Sequence, residues 1–181
     1  MVSLNTVGRR FESVLVTDQG KAFFGTIEPN SEGRLPSYEI SEPRLLLRVD
    51  HLAPVSSGDI IKDVVGRRFI VADHDISFTA GQVEYRTHRL FHTNRKAVWE
   101  RETSVIDPLT QQKRSTGSAQ LGEIWCLMEA PQREFSDPQL RVREERLRVV
   151  LAQPVELGDI LDKMVVRRIN PILGVYVAEV Q

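Results

Sequence analysis

Apolar and β-branched residues along this chain come in short runs, each closed by proline, glycine, aspartate or serine. Arg44-Leu-Leu-Leu-Arg-Val-Asp50 predicts a strand, and Pro54-Val-Ser-Ser-Gly-Asp59 predicts a reversal, because proline fixes φ and glycine tolerates φ > 0. Ile60-Ile61 opens a second strand, Lys62 to Gly66 a second turn, and Arg67 to Ala72 a third strand rich in β-formers. Trp99–Ile106 and Arg114–Trp125 flank Asp107-Pro-Leu-Thr-Gln-Gln-Lys113, which predicts a hairpin with a polar tip. The best helical signal, Pro138 to Arg146 behind Ser136-Asp137, is short and runs straight into a strand.

The pattern occurs twice. Leu47–Phe69 returns as Leu147–Ile169 at a constant offset of 100 residues, with Arg48/Arg148, Val49/Val149, Pro54/Pro154, Val55/Val155, Gly58/Gly158, Asp59/Asp159, Ile60/Ile160, Val65/Val165, Arg67/Arg167 and Arg68/Arg168 identical. Upstream, Gly25-Thr-Ile27 answers Gly122-Glu-Ile124, and Val16-Thr-Asp18 answers Val105-Ile-Asp107. In the second copy the strand order runs through Ile160-Leu161 and Val165–Asn170 to Val175–Val180, after a turn at Pro171–Gly174.

Turns every 8 to 12 residues or so mark small sandwiches and barrels. The expected fold is mainly β, two tandem duplicated small β-barrel or β-sandwich domains. The expected units are 1–80 and 81–181, the second carrying a hairpin insertion around 95–125, with the boundary at Ala80-Gly81. Gly33–Ser37 and Ala130–Pro138 occupy matching places and read as surface loops.

With 41% hydrophobic and 27% charged residues the chain reads as globular, and no apolar run approaches the roughly 20 residues of a membrane span. The arginines of Met1-Val-Ser-Leu-Asn-Thr-Val-Gly-Arg-Arg10 follow its few apolar residues, which argues against a secretory signal and for synthesis in the cytoplasm. A net charge of −1 gives no long-range pull on DNA or membranes. The single Cys126, within Ile124-Trp-Cys-Leu-Met128, reads as a buried thiol acting as a small hydrophobe.

Candidate chemistry is sparse. His88 and His92 stand four apart, a zinc-ligand spacing on a helix, but no carboxylate follows in the metalloprotease pattern and the segment reads equally as extended. Asp73-His74-Asp75 reads as a solvated turn closing a strand rather than an ion site. Gly58-Asp59 and Gly158-Asp159 resemble a duplicated carboxylate pair, yet an aspartate after a turn glycine ordinarily accepts from local amides. There is no phosphate loop, nucleophile elbow or Ser/His/Asp arrangement, so no enzyme, cofactor or metal is expected.

Arg86, His88, Arg89, His92, Arg95 and Lys96 form a basic run broken by Tyr85, Phe91 and Trp99 and framed by Glu84, Glu100 and Glu102. Such a composition contacts phosphates and stacks bases, though the acidic frame favours a solvated strand face or a protein interface. Arg67-Arg68 and Arg167-Arg168 fall on predicted strands as candidate interface groups.

Pro-Val-x-x-Gly-Asp-Ile followed by Gly-Arg-Arg-Phe or Val-Arg-Arg-Ile resembles the small β-barrel head-completion and head-tail connector proteins of tailed bacteriophages. Asp107–Thr110, Leu121–Trp125 and Leu173–Gln181 are also similar to pieces of phage neck proteins, although two barrels replace the usual one. The resemblance implies a virion structural protein that forms a homo-oligomeric ring between portal and tail. It implies portal or adaptor and tail or neck proteins as partners, packaged DNA passing nearby without sequence-specific binding, and no membrane. Arg86, Arg89, Arg95, Lys96, Asp107 and Lys113 are then the candidate interface residues. The alternatives are a tail or baseplate adaptor, and an OB-like nucleic-acid-binding barrel.

Overall fold

The computed structural model describes residues 13–29, 45–79, 82–130, 147–172 and 174–181. The candidate helix at 138–146, the loop at 33–37 and all of the 130–138 loop except Ala130 lie outside these. The described secondary structure is twelve strands: β1 Ser13–Thr17, β2 Ala22–Pro29, β3 Leu45–Asp50, β4 Ile60–Lys62, β5 Arg68–Thr79, β6 Gln82–His92, β7 Arg95–Ile106, β8 Lys113–Glu129, β9 Leu147–Leu151, β10 Ile160–Leu161, β11 Met164–Ile172 and β12 Val175–Val180.

They form two closed antiparallel barrels. The first runs β1-β2-β3-β6-β5-β4 and closes by β4 on β1; the second runs β7-β8-β9-β12-β11-β10 and closes by β10 on β7. Counted within each barrel the order is the same, so the duplication is real at the level of topology. Closure removes the open edges from each barrel wall.

Equivalent core positions carry different volumes. Leu15 faces Phe23 across β1 and β2 where Ala97 faces Ile124 across β7 and β8, while Val49/Val149, Val55/Val155, Ile61/Leu161 and Val71/Val166 fill matching places in the two cores. The pattern is kept while sizes are redistributed, the kind of exchange that a core tolerates best when its total volume is conserved.

The domain boundary differs from expectation. β5 and β6 pair from Phe69↔His92 to Thr79↔Gln82, so the predicted cut at Ala80-Gly81 falls between two paired strands of the first barrel. The units divide between Thr93 and Asn94. A glycine in a hairpin connection and one in a linker look alike in sequence.

The repeat is also shorter than its letters suggest. Val71 N–H donates to Asp59 O and Val166 N–H to Asp159 O, so matching bonds span twelve residues in one copy and seven in the other. The first copy carries a wide turn organised by Asp63, whose Oδ1 accepts from Val65 N and Arg67 N at 3.1 and 2.8 Å and whose Oδ2 accepts from Arg67 Nε at 2.7 Å. The second turns tightly through Asp162 and Lys163, both left-handed at φ 48° and 71°, as a two-residue hairpin requires. Val65/Val165, Arg67/Arg167 and Arg68/Arg168 are therefore identical in letter but not in position. Arg68 pairs with Lys62 beside the wide turn, whereas Arg168 lies beyond its hairpin, 3.9 Å from Glu179.

The upstream echo shifts as well. Gly25 pairs with Val49 inside the first barrel, where a Cβ would lie 2.9 Å from Val49 Cγ1. Gly122 pairs with Trp99 at a bulge where Leu121 is the extra residue. Val105-Ile-Asp107 lies at the far end of the β7–β8 hairpin, whereas Thr17 pairs with Ile61 as Trp99 pairs with Leu161.

Candidate functional site

The motif common to both copies builds the same local device. In each, the valine after the proline enters the core, the glycine sits at φ 89° (Gly58) or 90° (Gly158), and the aspartate Oδ2 accepts from the amide three residues earlier at 2.8 Å. The glycine amides bond across to Val71 O at 2.7 Å and Val166 O at 3.0 Å. Gly58-Asp59 and Gly158-Asp159 are thus turn elements of separate barrels.

What surrounds the two aspartates differs. Asp159 is 1% exposed and also accepts from Trp99 Nε1 at 2.9 Å, Arg101 Nε at 2.7 Å and Arg101 Nη2 at 3.0 Å, with Glu156 adding a 2.8 Å ion pair to Arg101. Burial pushes this carboxyl up, but Arg101, the Glu156 amide and Trp99 together hold it below its ordinary value of 3.8. The hydrogen bond and charge of Asp159 in turn raise the Arg101 guanidinium.

Around Asp59 there is a cavity of about 330 Å³, lined by Thr17, Gln19 and Lys21 from the β1–β2 connection, Ala53 to Ser56 before β4, Asp59, and Arg86 from β6. Thr17 occupies the place of Trp99, so a small polar side chain stands where the second barrel inserts an indole. Arg86 Nη2 donates to Ala53 O at 2.5 Å, while its buried Nε has no hydrogen-bond partner among the described residues.

The second exposed feature is the β7–β8 ribbon. β7 leaves β10 at Glu100, and from there to the tip its strand pairs only with β8 among the described residues. Val105 and Ile106 are well exposed, and Leu109 at the tip is 92% exposed. Asp107 shapes the tip, its Oδ1 accepting from Leu109 N at 2.9 Å and Thr110 N at 3.3 Å, which keeps its carboxyl below 3.8.

The basic run of the sequence is divided between the two barrels. Arg86 and Arg89 belong to β6 of the first barrel, Arg95 and Lys96 to β7 of the second. Arg89 pairs with Asp75 at 3.2 Å and Asp73 at 3.8 Å, Arg95 with Asp162 at 2.5 Å, and Lys96 with Glu123 while its ammonium lies 6.0 Å from the Trp125 ring. Asp107 caps the ribbon tip and pairs with Arg114 at 3.4 Å; Lys113 begins β8, and its side chain lies outside the described residues.

Asp73-His74-Asp75 lies within β5 beside a register shift, not in a turn, and the side chain of His74 also lies outside the described residues. His88 is fully buried with Nδ1 3.4 Å from Ala72 O, while His92 is exposed and tilts against Phe69. The spacing of four therefore does not bring them to one site. No group of three metal-ligating side chains occurs among the described residues. No local sequence signal marks the Arg101–Asp159 bond, whose partners are 58 residues apart.

No protein-family model, curated protein or solved structure matches this chain.

Proposed function

We propose that this chain is a structural assembly protein, and that the β7–β8 ribbon is the arm by which it grips a neighbouring subunit. The observation that carries this reading is the ribbon's composition. A two-stranded ribbon is marginal in water by itself, and this one places Val105, Ile106 and Leu109 in solvent near its tip. Contact with another chain would cover that surface.

The Pro-Val-x-x-Gly-Asp turn, built twice, supports the further reading as a ring component of the neck of a tailed phage, between portal and tail. Head-to-tail contact between identical copies closes such a ring when the rotation allows it. Arg89, Arg95 and Lys96 already have carboxylate partners within their own barrels, so they favour neither a nucleic-acid groove nor a primary subunit contact.

The test is the sedimentation of the intact chain against an Ile106→Lys/Leu109→Asp variant. We expect association of the parent and loss of it in the variant, with unchanged circular dichroism. Equal association would remove the ribbon from the interface. A monomeric parent that is also absent from purified particles, by quantitative mass spectrometry, would overturn the assembly reading itself.

A further inference from the structure

We propose that the cavity at the end of the first barrel binds a small free oxyanion, a phosphate or carboxylate group, between Arg86 and Lys21. The argument begins inside the barrel. On β6, His88 pairs with Leu47 and Arg86 with Val49, and the equivalent partners of Leu147 and Val149 in the second barrel are Val180 and Ala178. Two nitrogen-bearing side chains thus stand where the twin barrel is aliphatic.

Placing a guanidinium there costs desolvation unless acceptors compensate. Ala53 O takes one N–H, but the buried Nε has no acceptor among the described residues. Native interiors seldom leave such a donor unused, and the guanidinium that carries it lines a cavity that an acceptor from outside could enter.

The lining specifies which acceptor. It holds two cations, Arg86 and Lys21, against one carboxylate, Asp59, whose Oδ2 is already engaged by Ser56 N. Gln19 and Ser56 add neutral donors. An excess of positive charge with several N–H and O–H groups suits an oxyanion. The volume of about 330 Å³ suits a small molecule rather than a polypeptide segment.

The second barrel shows what a closed version looks like: Trp99 and Arg101 occupy that end and satisfy Asp159. The competing explanation is that Arg86 merely neutralises Asp59 as Arg101 does Asp159. That explanation requires no ligand.

The test is the ³¹P line width of inorganic phosphate added to the intact chain at constant ionic strength. Broadening is expected with the parent protein. Lys21 is exposed, so Lys21→Gln leaves the fold intact and should weaken phosphate binding about tenfold, the effect of losing one charge-assisted contact. Arg86→Met should abolish it, and Lys163→Gln, an equal charge change on the second barrel, should not alter it. Acetate that narrows the line by competition extends the site to carboxylates, and acetate without effect restricts it to phosphate. No broadening with the parent, or equal broadening with parent and Lys21→Gln, overturns the proposal, whether or not the chain assembles.

Discussion

Arg101 grips Asp159 with two parallel hydrogen bonds, Nε to Oδ1 at 2.7 Å and Nη2 to Oδ2 at 3.0 Å, tying the root of the β7–β8 ribbon to the turn before β10. The equivalent Asp59 accepts from Ser56 N, and no arginine clamps it among the described residues. One turn motif therefore does two jobs, a closed joint in the second barrel and a cavity wall in the first.

Substitution should separate those jobs. Asp159→Asn places an amide against donors from Trp99, Arg101 and Glu156, and is expected to cost about 1.5–3 kcal/mol, the range for hydrogen bonds to charged groups. Asp59→Asn should cost less. Urea unfolding measures both. Tryptophan fluorescence reports the second barrel alone, since both tryptophans, Trp99 and Trp125, lie there, and circular dichroism reports both barrels. Equal losses would mean that the turn, not the clamp, holds the second barrel.

Acid should act on the same joint. Because Asp159 titrates below its ordinary value of 3.8 when folded, the unfolded chain binds more protons in that window and stability rises with pH there. The contribution is full above the ordinary carboxyl range and is lost as pH falls through the lowered folded value. Acid titration of tryptophan fluorescence should show a midpoint shifted in Asp159→Asn relative to the parent, with a shallower stability slope below pH 3.8. An unchanged slope would discount the clamp.

Gly158 is at φ 90° with no atom within 4 Å of a built Cβ, so Gly158→Ala tests backbone conformation alone. The expected cost is about 1–2 kcal/mol, and Gly158→Asn should recover part of it, since asparagine tolerates the left-handed region. A neutral alanine substitution would contradict the turn geometry.

Cys126 is fully buried in the second core, and burial with the nearby Asp162 charge pushes its thiol up to about 11, against the opposing effect of Arg95. The native protein should therefore resist iodoacetamide at pH 8 and react fully once unfolded, as mass spectrometry would show. Rapid native labelling would place the thiol outside the core.

The local pieces can be read from residue order alone. Pro54-Val-Ser-Ser-Gly-Asp59 and its twin read correctly as turns because proline, glycine and aspartate act on residues within a few positions of themselves. The ribbon around Asp107 was legible for the same reason, and two small β-barrels followed from the duplicated strand pattern. The remainder depends on pairing between distant strands. The five-residue difference between the Asp63 and Asp162 turns makes Arg67 and Arg167 false equivalents, and letters alone carry no record of which residue lies opposite. The first barrel extends to Thr93 because β6 completes its sheet against β3 and β5, a cooperative gain that no residue near Gly81 signals. The fate of the two aspartates was likewise decided across the barrel wall. Trp99 and Arg101 reach Asp159 from 60 and 58 residues away, while Thr17 leaves Asp59 beside a cavity, so identical local sequence acquired different chemistry from its non-local neighbours.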